Sequence, residues 1–594
     1  MSEQRNVEEE RPQAVLTTHA MLVAWGAYAQ ELGLVDRLNE VELKQRSRVH
    51  RPQTKVLEFL VAILAGLPHL QDISRSAHPL DQDQMVAEAW GQPAWADYSG
   101  VSRTLQGLSE EEAQAIASEL VTISQPLLAE EIAVALHSTG YLVYDADLTG
   151  RPVSNTSSTY PDAAFGHMGD RVALGYQAAV VSLNSPTYGR LWLSNQLHSG
   201  DTVSCTQAQA LVKAAEARTG LRPRRRTELV EMRLASTRTL CAAAEAAFWA
   251  STDKLKDAED KVDETTRTLA DCRRQIDGLE SEYAIAGREP TPHCKLTRAR
   301  RKVATYEQRL PRLEKSLAVA ERRLQRDERE LAKLEAEVEG LSAHSEQLQA
   351  DNQANPQPIQ AIFRVDGGFA SQENIAWLIE MGYELYTKAR SSKVRDTLLS
   401  SLPPDHSGQR VGGNATLTAW ADTTAGDYFT YPVNLALAHY QLGESVRHAV
   451  FVHYGDTDVT HDLQSWFQTY NGRQTIEAGI KEGKNVFQMH HLKVRSAPAL
   501  FLQEQMACFA ANFVRFAARW LTQQQVESPG LDLTSVKHMV QVCAHTSAWV
   551  LRQGNGLLLT FAEHSLYAGR SLRLGFGAIQ LPLPLPPTVH FSHF

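Results

Sequence analysis

Residues 141–150 read YLVYDADLTG, a short apolar run that ends in two acids, Asp145 and Asp147. A run of β-forming residues closed by polar ones predicts a strand whose last residues reach the edge of a sheet. Residues 361–369, AIFRVDGGF, have the same form, because Asp366 ends the apolar run and two glycines then break the strand. The sequence therefore predicts two strands that each carry an aspartate at the end.

A third acid lies in residues 470–484, YNGRQTIEAGIKEGK. Tyr470, Arg473, Glu477 and Lys484 follow one another at spacings of three, four and seven residues. On a single α-helix these offsets bring the four side chains to one broad face. An ordinary amphipathic helix with intrahelical ion pairs has the same spacing, so this segment alone leaves both interpretations open.

The three acids together favour a metal site. Converging carboxylates from Asp147, Asp366 and Glu477 suit two Mg²⁺ ions, which are hard cations that prefer oxygen ligands. Two-metal sites carry out phosphoryl transfer, and the cations Arg473 and Lys484 on the same face suit nucleic-acid phosphates. The sequence thus predicts metal-dependent chemistry on a phosphodiester.

Asp145 is an alternative for the first acid of this site. It lies two residues before Asp147, so both side chains should point to the same side of the strand. Asp147 is favoured as the ligand because it alone has the D-x-T spacing to Thr149. Asp145 is then either a supporting acid or the true ligand.

These segments resemble the DDE transposases of bacterial insertion sequences, in the branch with the Y-x2-R-x3-E-x6-K signature. All four signature positions match, the second aspartate has the D-G-G-F form at residues 366–369, and the first has the D-x-T form at 147–149. The resemblance covers roughly residues 50–520, in pieces. Finding both aspartate motifs in the right order makes a chance match to the signature much rarer.

The resemblance implies an enzyme that binds transposon ends and catalyses DNA strand cleavage and strand transfer. It implies two Mg²⁺ ions, for which Mn²⁺ can substitute, and double-stranded DNA as both transposon end and target. It further implies a homodimer in the DNA complex and a bacterial, cytoplasmic and nucleoid-associated protein. The resemblance implies that the catalytic and metal-binding acids are Asp147, Asp366 and Glu477. It implies that the DNA-binding residues are Tyr470, Arg473 and Lys484.

The order of predicted elements gives the fold class α/β, an RNase H-like mixed sheet interrupted by insertions. Strands near 142–147, 173–182 and 188–197 precede a helix at 205–218, and a β-α-β unit follows at 360–390. The expected domains are an N-terminal helical DNA-binding domain, three parts of the catalytic core, two insertions and a C-terminal region. Their boundaries are 1–136 for the helical domain, 137–226, 351–400 and 469–525 for the core, 227–350 for a coiled coil, 401–468 for a small antiparallel β-subdomain, and 526–594 for the C-terminal region.

The first insertion has a sustained seven-residue repeat of apolar side chains, which is typical of a coiled coil. Two prolines and a glycine near residue 290 separate its halves, so an antiparallel hairpin with arms of about 55 residues is expected. The clearest repeat, in the second half, is formed by Leu296, Val303, Leu310, Leu317, Leu324, Leu331 and Val338.

Composition narrows the remaining choices. The chain has 594 residues, a net charge of −10 and six scattered cysteines without a C-x-x-C pair, which argues against a zinc site or a disulfide framework. The N-terminus is polar and acidic, unlike a signal peptide, and no apolar run is long enough to span a membrane. Two alternatives stay open: a catalytically inactive, transposase-derived DNA-binding or assembly protein, and an RNase H-like nuclease that does not join strands.

Overall fold

The computed structural model describes residues 14–46, 49–403, 406–524, 533, 535–553 and 556–575. These residues form two compact units, one made of the chain up to Arg224 and from Gln357 onward, the other of Arg225–Pro356. All six cysteines are free. No helix among the described residues is long and apolar enough to cross a membrane.

The helices and strands are numbered in chain order. The α-helices are α1 Ala20–Glu31, α2 Leu34–Glu40, α3 Pro52–Leu64, α4 Asp72–Arg75, α5 Gln84–Ala89, α6 Tyr98–Gln106, α7 Glu110–Thr139, α8 Ser204–Thr219, α9 Thr227–Ile285, α10 Lys295–Gln353, α11 Gln372–Glu380, α12 Ser392–Ser401, α13 Leu463–Asn471, α14 Gln474–Asn485, α15 Ala497–Gln524 and α16 Val536–Gln541. The strands are β1 Val15–Thr17, β2 Tyr141–Pro152, β3 Ala164–His167, β4 Val172–Ser185, β5 Gly189–Ser199, β6 Gln360–Val365, β7 Glu384–Lys388, β8 Gln409–Arg410, β9 Ala415–Thr423, β10 Val433–Leu442, β11 Ser445–Tyr454, β12 Ala548–Gln553, β13 Gly556–Phe561 and β14 Ser571–Gly575.

The first unit is built on a mixed sheet of ten strands within the described residues, in the order β3-β4-β2-β6-β7-β11-β10-β9-β8, with β5 paired to β4. Strands β2, β6 and β7 run parallel to one another, and β4 and β5 are antiparallel to them. The parallel connections pass through α8 before β6 and through α11 between β6 and β7. The predicted α/β class with a mixed sheet is confirmed.

The β-rich segment predicted at 401–468 contains the antiparallel strands β8–β11, and these strands belong to the main sheet. Its strand β11 pairs antiparallel with β7, with Val452 opposite Thr387, so β8–β11 extend the main sheet. The reason is that β7 would otherwise be an edge strand with unpaired backbone groups, and β11 satisfies them. The apolar face of this extension packs under α13 in one cluster with Trp466 and Tyr470.

The N-terminal helices pack on the same unit as the sheet. The long helix α7 begins with a capping box, in which the Ser109 side chain accepts from the Glu112 amide and the Glu112 carboxylate accepts from the Ser109 amide. Helix α7 contacts β2 and α15, and α15 also lies against α3 and β5. Among the described residues, a second sheet of four strands joins Val15–Thr17 to the segment 548–575 in the order β1-β12-β13-β14. Two residues of the turn between β12 and β13, Gly554 and Asn555, lie outside the described residues.

The second unit consists of α9 and α10, each 59 residues long, which corresponds to about 88 Å. The helices pair antiparallel, because Glu231 near the start of α9 contacts Gln349 near the end of α10, and Glu280 near the end of α9 contacts Arg300 near the start of α10. The apolar seam includes Leu269, Cys272 and Val303, and the ion pairs across it join Arg233 to Glu337, Arg273 to Glu307 and Arg300 to Glu280. Asp327 interrupts the heptad pattern and is accommodated by Ser251, whose hydroxyl donates to it at 2.6 Å.

The first prediction concerns the independence of the sheet from the helical pair. The Ile359 amide donates to the Arg222 carbonyl at 3.2 Å, so the chain ends that flank the insertion lie side by side. Replacing 225–356 with a short Gly/Ser linker should therefore leave a folded first unit, because the helical pair buries its seam against itself. Near-UV circular dichroism and thermal unfolding measure this, with the full chain as control. Loss of a cooperative transition would show that the helices are needed for the sheet to fold.

Candidate active site

The first two acids lie side by side at one end of the parallel strands. The parallel pairing of β2 with β6 ends at Ala146 opposite Val365, and Asp147 and Asp366 are each the next residue in their chains. Strand β2 itself continues to Pro152 by pairing with β4, so Asp147 is not at its end as expected. The two acids are neighbours because the parallel pairing of β2 with β6 ends just before them. They are not neighbours because both strands end there, since β2 continues.

Backbone amides orient both carboxylates. The Leu148 amide donates to Asp147 Oδ1 at 2.8 Å, and the Gly368 amide donates to Asp366 Oδ1 at 2.9 Å. Burial raises the pKa of Asp147 to about 6, with a contribution from the negative charges of Asp366 and Glu477 and against the opposing effect of Arg473. A buried carboxylate with like charges nearby needs a positive partner to stay ionised.

The signature residues occupy two helices and not the single helix that the spacing predicted. Tyr470 is in the last turn of α13, which ends at Asn471, and Arg473 is the residue before α14. At this junction the Arg473 amide donates to the Tyr470 carbonyl at 3.1 Å, which tightens the turn. Glu477 and Lys484 lie in α14.

Arg473 joins the first and third acids directly. Its Nη1 donates to Asp147 Oδ2 at 3.2 Å, and its Nη2 donates to Glu477 Oε1 at 2.5 Å. Burial alone would lower the pKa of Arg473, but Asp147, Tyr470 and Glu477 raise it overall. The guanidinium thus supplies positive charge between carboxylates from β2 and α14.

No group of three His, Cys, Asp or Glu side chains within the described part of the chain stands close enough to hold a metal ion. The donor chemistry of Asp147, Asp366 and Glu477 nevertheless suits a hard divalent cation, since all three offer carboxylate oxygens. Arg473 lies between two of them. A metal held by all three acids therefore requires the Arg473 guanidinium to move aside.

Tyr470 is not at the surface, where a DNA contact was expected. It is 4% exposed and packs edge-on against Phe451, and burial raises its pKa to about 12. The Lys388 ammonium lies 4.8 Å from the centre of the Tyr470 ring and 5.0 Å from that of Phe451, a cation–π arrangement. Tyr470 thus holds a cation beside the acids.

Lys388 belongs to this site, although the sequence motifs do not identify it. Burial lowers its pKa, Arg473 lowers it further, and Glu477 and Asp366 oppose the change. The signal available in the sequence was its place at the end of the strand after Asp366, because neighbouring parallel strands end at one edge.

Lys484 lies on the Asp147 side of α14. Burial and the nearby Arg151 lower its pKa, whereas Asp147 raises it. Arg473 thus contacts two of the acids, and Lys388 and Lys484 lie close enough for their charges to interact with them. Such an arrangement can neutralise a phosphate group brought to the carboxylates.

Asp145, the alternative first acid, has its oxygens occupied elsewhere. Arg364 donates to both of them at 2.7 Å, and the Thr475 hydroxyl donates to Oδ2 at 3.2 Å. Its side chain is 1% exposed. The structure thus separates the two aspartates of the DAD sequence, with Asp147 beside Arg473 and Asp145 in a buried ion pair.

A second arginine fixes α14 from the side of β5. Arg190 donates to the Thr475 carbonyl and lies 3.4 Å from the Glu482 carboxylate, which Arg515 of α15 also contacts at 2.7 Å. A Cβ at Gly479 would fall well inside 3.0 Å of the Arg190 side chain. Any side chain at residue 479 would therefore force the Arg190 side chain to shift.

Comparisons with known proteins give little further information. No protein-family model matches the chain, and no curated protein matches it. Among solved structures, the chain is similar to the piggyBac transposase in a synaptic complex with hairpin DNA, with a TM-score of 0.37 and 9% sequence identity. This likeness covers 90% of the chain and 83% of that protein. It is too distant to bear on function.

The second prediction tests how closely α14 is seated. Gly479→Ala should lower the free energy of unfolding by about 1–3 kcal/mol, because the methyl group displaces Arg190 from Thr475 and Glu482. Gly340→Ala in α10 is the matched control, since a Cβ there meets nothing within 4 Å. That change should stabilise its helix by about 1 kcal/mol through helix propensity. Chemical denaturation compares the two, and equal effects of the same sign would contradict the tight seating of α14.

Proposed function

We propose that this protein is a DNA transposase that cleaves and joins DNA strands with a DDE triad of Asp147, Asp366 and Glu477. The proposal rests on one observation: at the end of the parallel β2–β6 pairing, Arg473 contacts both Asp147 and Glu477. The strand order β5-β4-β2-β6-β7, with β2 and β6 parallel, supports an RNase H-like core.

The three acids would hold two Mg²⁺ ions, or Mn²⁺ in their place. Bound ions would activate the attacking oxygen and stabilise the leaving oxygen of a phosphodiester. The negative charges of Asp366 and Glu477 near Asp147 support this assignment, because carboxylates that repel one another favour an added cation. Arg473 supplies that charge in the structure, so its movement away from Asp147 would accompany ion binding.

The chain's own cations would bind and orient the DNA. Arg473, which contacts Asp147, and Lys388 and Lys484, whose charges interact with the acids, would hold phosphates on either side of the bond that is cut. Tyr470 would act on Lys388 through its ring and would not touch DNA, since it is buried. The substrates would be transposon ends and target DNA, bound by a homodimer, in the bacterial cytoplasm at the nucleoid.

One observation favours a second candidate, an inactive DNA-binding protein derived from a transposase. Arg473 occupies the space between two of the acids and would compete with a metal ion. An RNase H-like nuclease would share the same acids but would not join strands. Incubating the full chain with end-containing oligonucleotides and Mg²⁺ separates the three, because only a transposase both cleaves and joins.

The third prediction concerns the acids. Asp366→Asn, Asp147→Asn and Glu477→Gln should each lower the rate of DNA cleavage on the order of a thousandfold or more, because each removes a ligand whose ion stabilises the transition state by several kcal/mol. Affinity for DNA should change little, since no phosphate-binding cation is lost. Cleavage is measured on labelled oligonucleotides and affinity by anisotropy. Near wild-type cleavage by Asp366→Asn would refute the assignment.

The fourth prediction concerns the cations. Lys484→Ala and Arg473→Ala should weaken DNA binding and reduce the slope of log affinity against log salt by about 0.9 for each lost phosphate contact. Lys333→Ala in α10, a lysine of the second unit, serves as the charge-matched control and should leave the slope unchanged. Binding isotherms at several salt concentrations provide the measurement. Parallel lines for wild type and Lys484→Ala would mean that Lys484 binds no phosphate.

A further inference from the structure

The buried ion pair between Asp145 and Arg364 joins the two central parallel strands. The residues face each other in the register of β2 and β6. Arg364 Nε donates to Asp145 Oδ1 and Nη2 donates to Oδ2, both at 2.7 Å, with side chains 5% and 1% exposed. This bidentate geometry fixes the orientation of the guanidinium plane.

The pair also reaches the signature helices on both sides of their junction. Arg364 Nη1 donates to the Thr469 carbonyl of α13 at 2.9 Å. Beyond the junction, the Thr475 hydroxyl of α14 donates to Asp145 at 3.2 Å. One ion pair therefore holds the residues just before and just after the turn that carries Arg473.

Arg364 accounts for the break between α13 and α14. In an uninterrupted α-helix the Thr469 carbonyl would accept from the amide of Arg473, four residues later. Here that amide donates to Tyr470 and the Thr469 carbonyl accepts from Arg364. The Arg364 guanidinium thus replaces the Arg473 amide as donor to the Thr469 carbonyl, and the helix is interrupted at that point.

Gly472 makes room for this contact. A Cβ at residue 472 would fall well inside 3.0 Å of Arg364 Nη1. The φ of Gly472 is −53°, which any residue can adopt, so a larger residue would be opposed by the position of Arg364 and not by backbone conformation. The absence of a side chain at Gly472 thus leaves room for the Arg364 guanidinium of β6.

We propose that Asp145 and Arg364 are positioning residues, which hold the α13–α14 junction so that Arg473 and Glu477 face Asp147. Neither residue touches DNA or a metal ion. Asp145 acts through Arg364 and Thr475, and Asp147 alone is the first acid of the triad. The assignment rests on the proposed function for its consequence in catalysis, but the placement of the junction is measurable without DNA or metal.

The test compares three variants of the full chain. Asp145→Asn keeps the shape and removes the charge, Gly472→Ala pushes Arg364 away, and Thr475→Val removes only the hydroxyl. Thr475→Ser, which keeps the hydroxyl, is the conservative rescue. Leu22→Ala, in the buried side of α1, is the control for general loss of stability.

The first readout is hydrogen exchange of backbone amides in residues 469–480, without DNA or metal. Exchange should become at least about tenfold faster in Asp145→Asn, Gly472→Ala and Thr475→Val, and should stay near wild type in Thr475→Ser and Leu22→Ala. Unchanged exchange in Asp145→Asn and Gly472→Ala would overturn the proposal. If Asp145→Asn fails to fold, Thr475→Val and Gly472→Ala decide the question by the same criterion.

The second readout is DNA cleavage at saturating DNA with Mg²⁺. Asp145→Asn should cleave about 100-fold more slowly with nearly unchanged DNA affinity, because displacement of a catalytic group by about 1 Å has an effect of this size. Loss of cleavage without faster exchange would make Asp145 a ligand itself and overturn the positioning role. A wild-type chain that does not cleave DNA would refute the proposed function, whereas the exchange experiment would still test the positioning.

Discussion

The central constraint in this structure is a salt bridge that cannot reach water, between Asp145 and Arg364. Removing one partner of such a pair leaves an uncompensated buried charge and typically costs about 3–5 kcal/mol, which is a large part of the stability of a folded domain. The pair locks the register of β2 against β6, and that register brings Asp147 and Asp366 together at the end of the parallel ladder. The same guanidinium donates to the Thr469 carbonyl and so sets where α14 begins. Strand register and helix placement are therefore fixed by one interaction.

The acids and cations near Asp147 form a balanced set. Ionised carboxylates repel one another in a buried place, and Arg473 offsets this repulsion by contacting two of them. The Lys388 ammonium lies over the rings of Phe451 and Tyr470. Its charge is near enough to Asp366 for that carboxylate to oppose the lowering of its pKa. Helix α14 is fastened on its other side by Arg190 and Arg515 through Glu482. Helix α14 is thus held firmly in place, while the positive charge between Asp147 and Glu477 comes from one side chain, Arg473.

Much of the sheet could be predicted from sequence because its strands are apolar runs closed by acids or glycines. Residues 141–147 and 361–366 showed this pattern directly, and the order of the predicted elements assigned both strands to one mixed sheet. The extension of the sheet by β11 was missed, since alternation in a strand does not reveal which edge it will pair with. Tyr470 was misjudged for a related reason: spacing assigns a residue to a helix face, but only tertiary packing against Phe451 decides that this face is buried. The break at Gly472 was also invisible, because its cause, Arg364, lies more than a hundred residues earlier.

The antiparallel pairing of α9 and α10 has a consequence for how this insertion can change in length. Residues across the seam are matched one to one, as the Ser251–Asp327 and Arg273–Glu307 contacts show. An insertion in one arm alone would shift every contact between it and the turn near residue 290. Growth or shrinkage is compatible with the seam only when both arms gain or lose the same number of residues, in steps close to seven. The segments that flank the insertion meet at Arg222 and Ile359. Adding or removing about seven residues in both arms would therefore change the length of the hairpin by about 10 Å without disturbing the sheet.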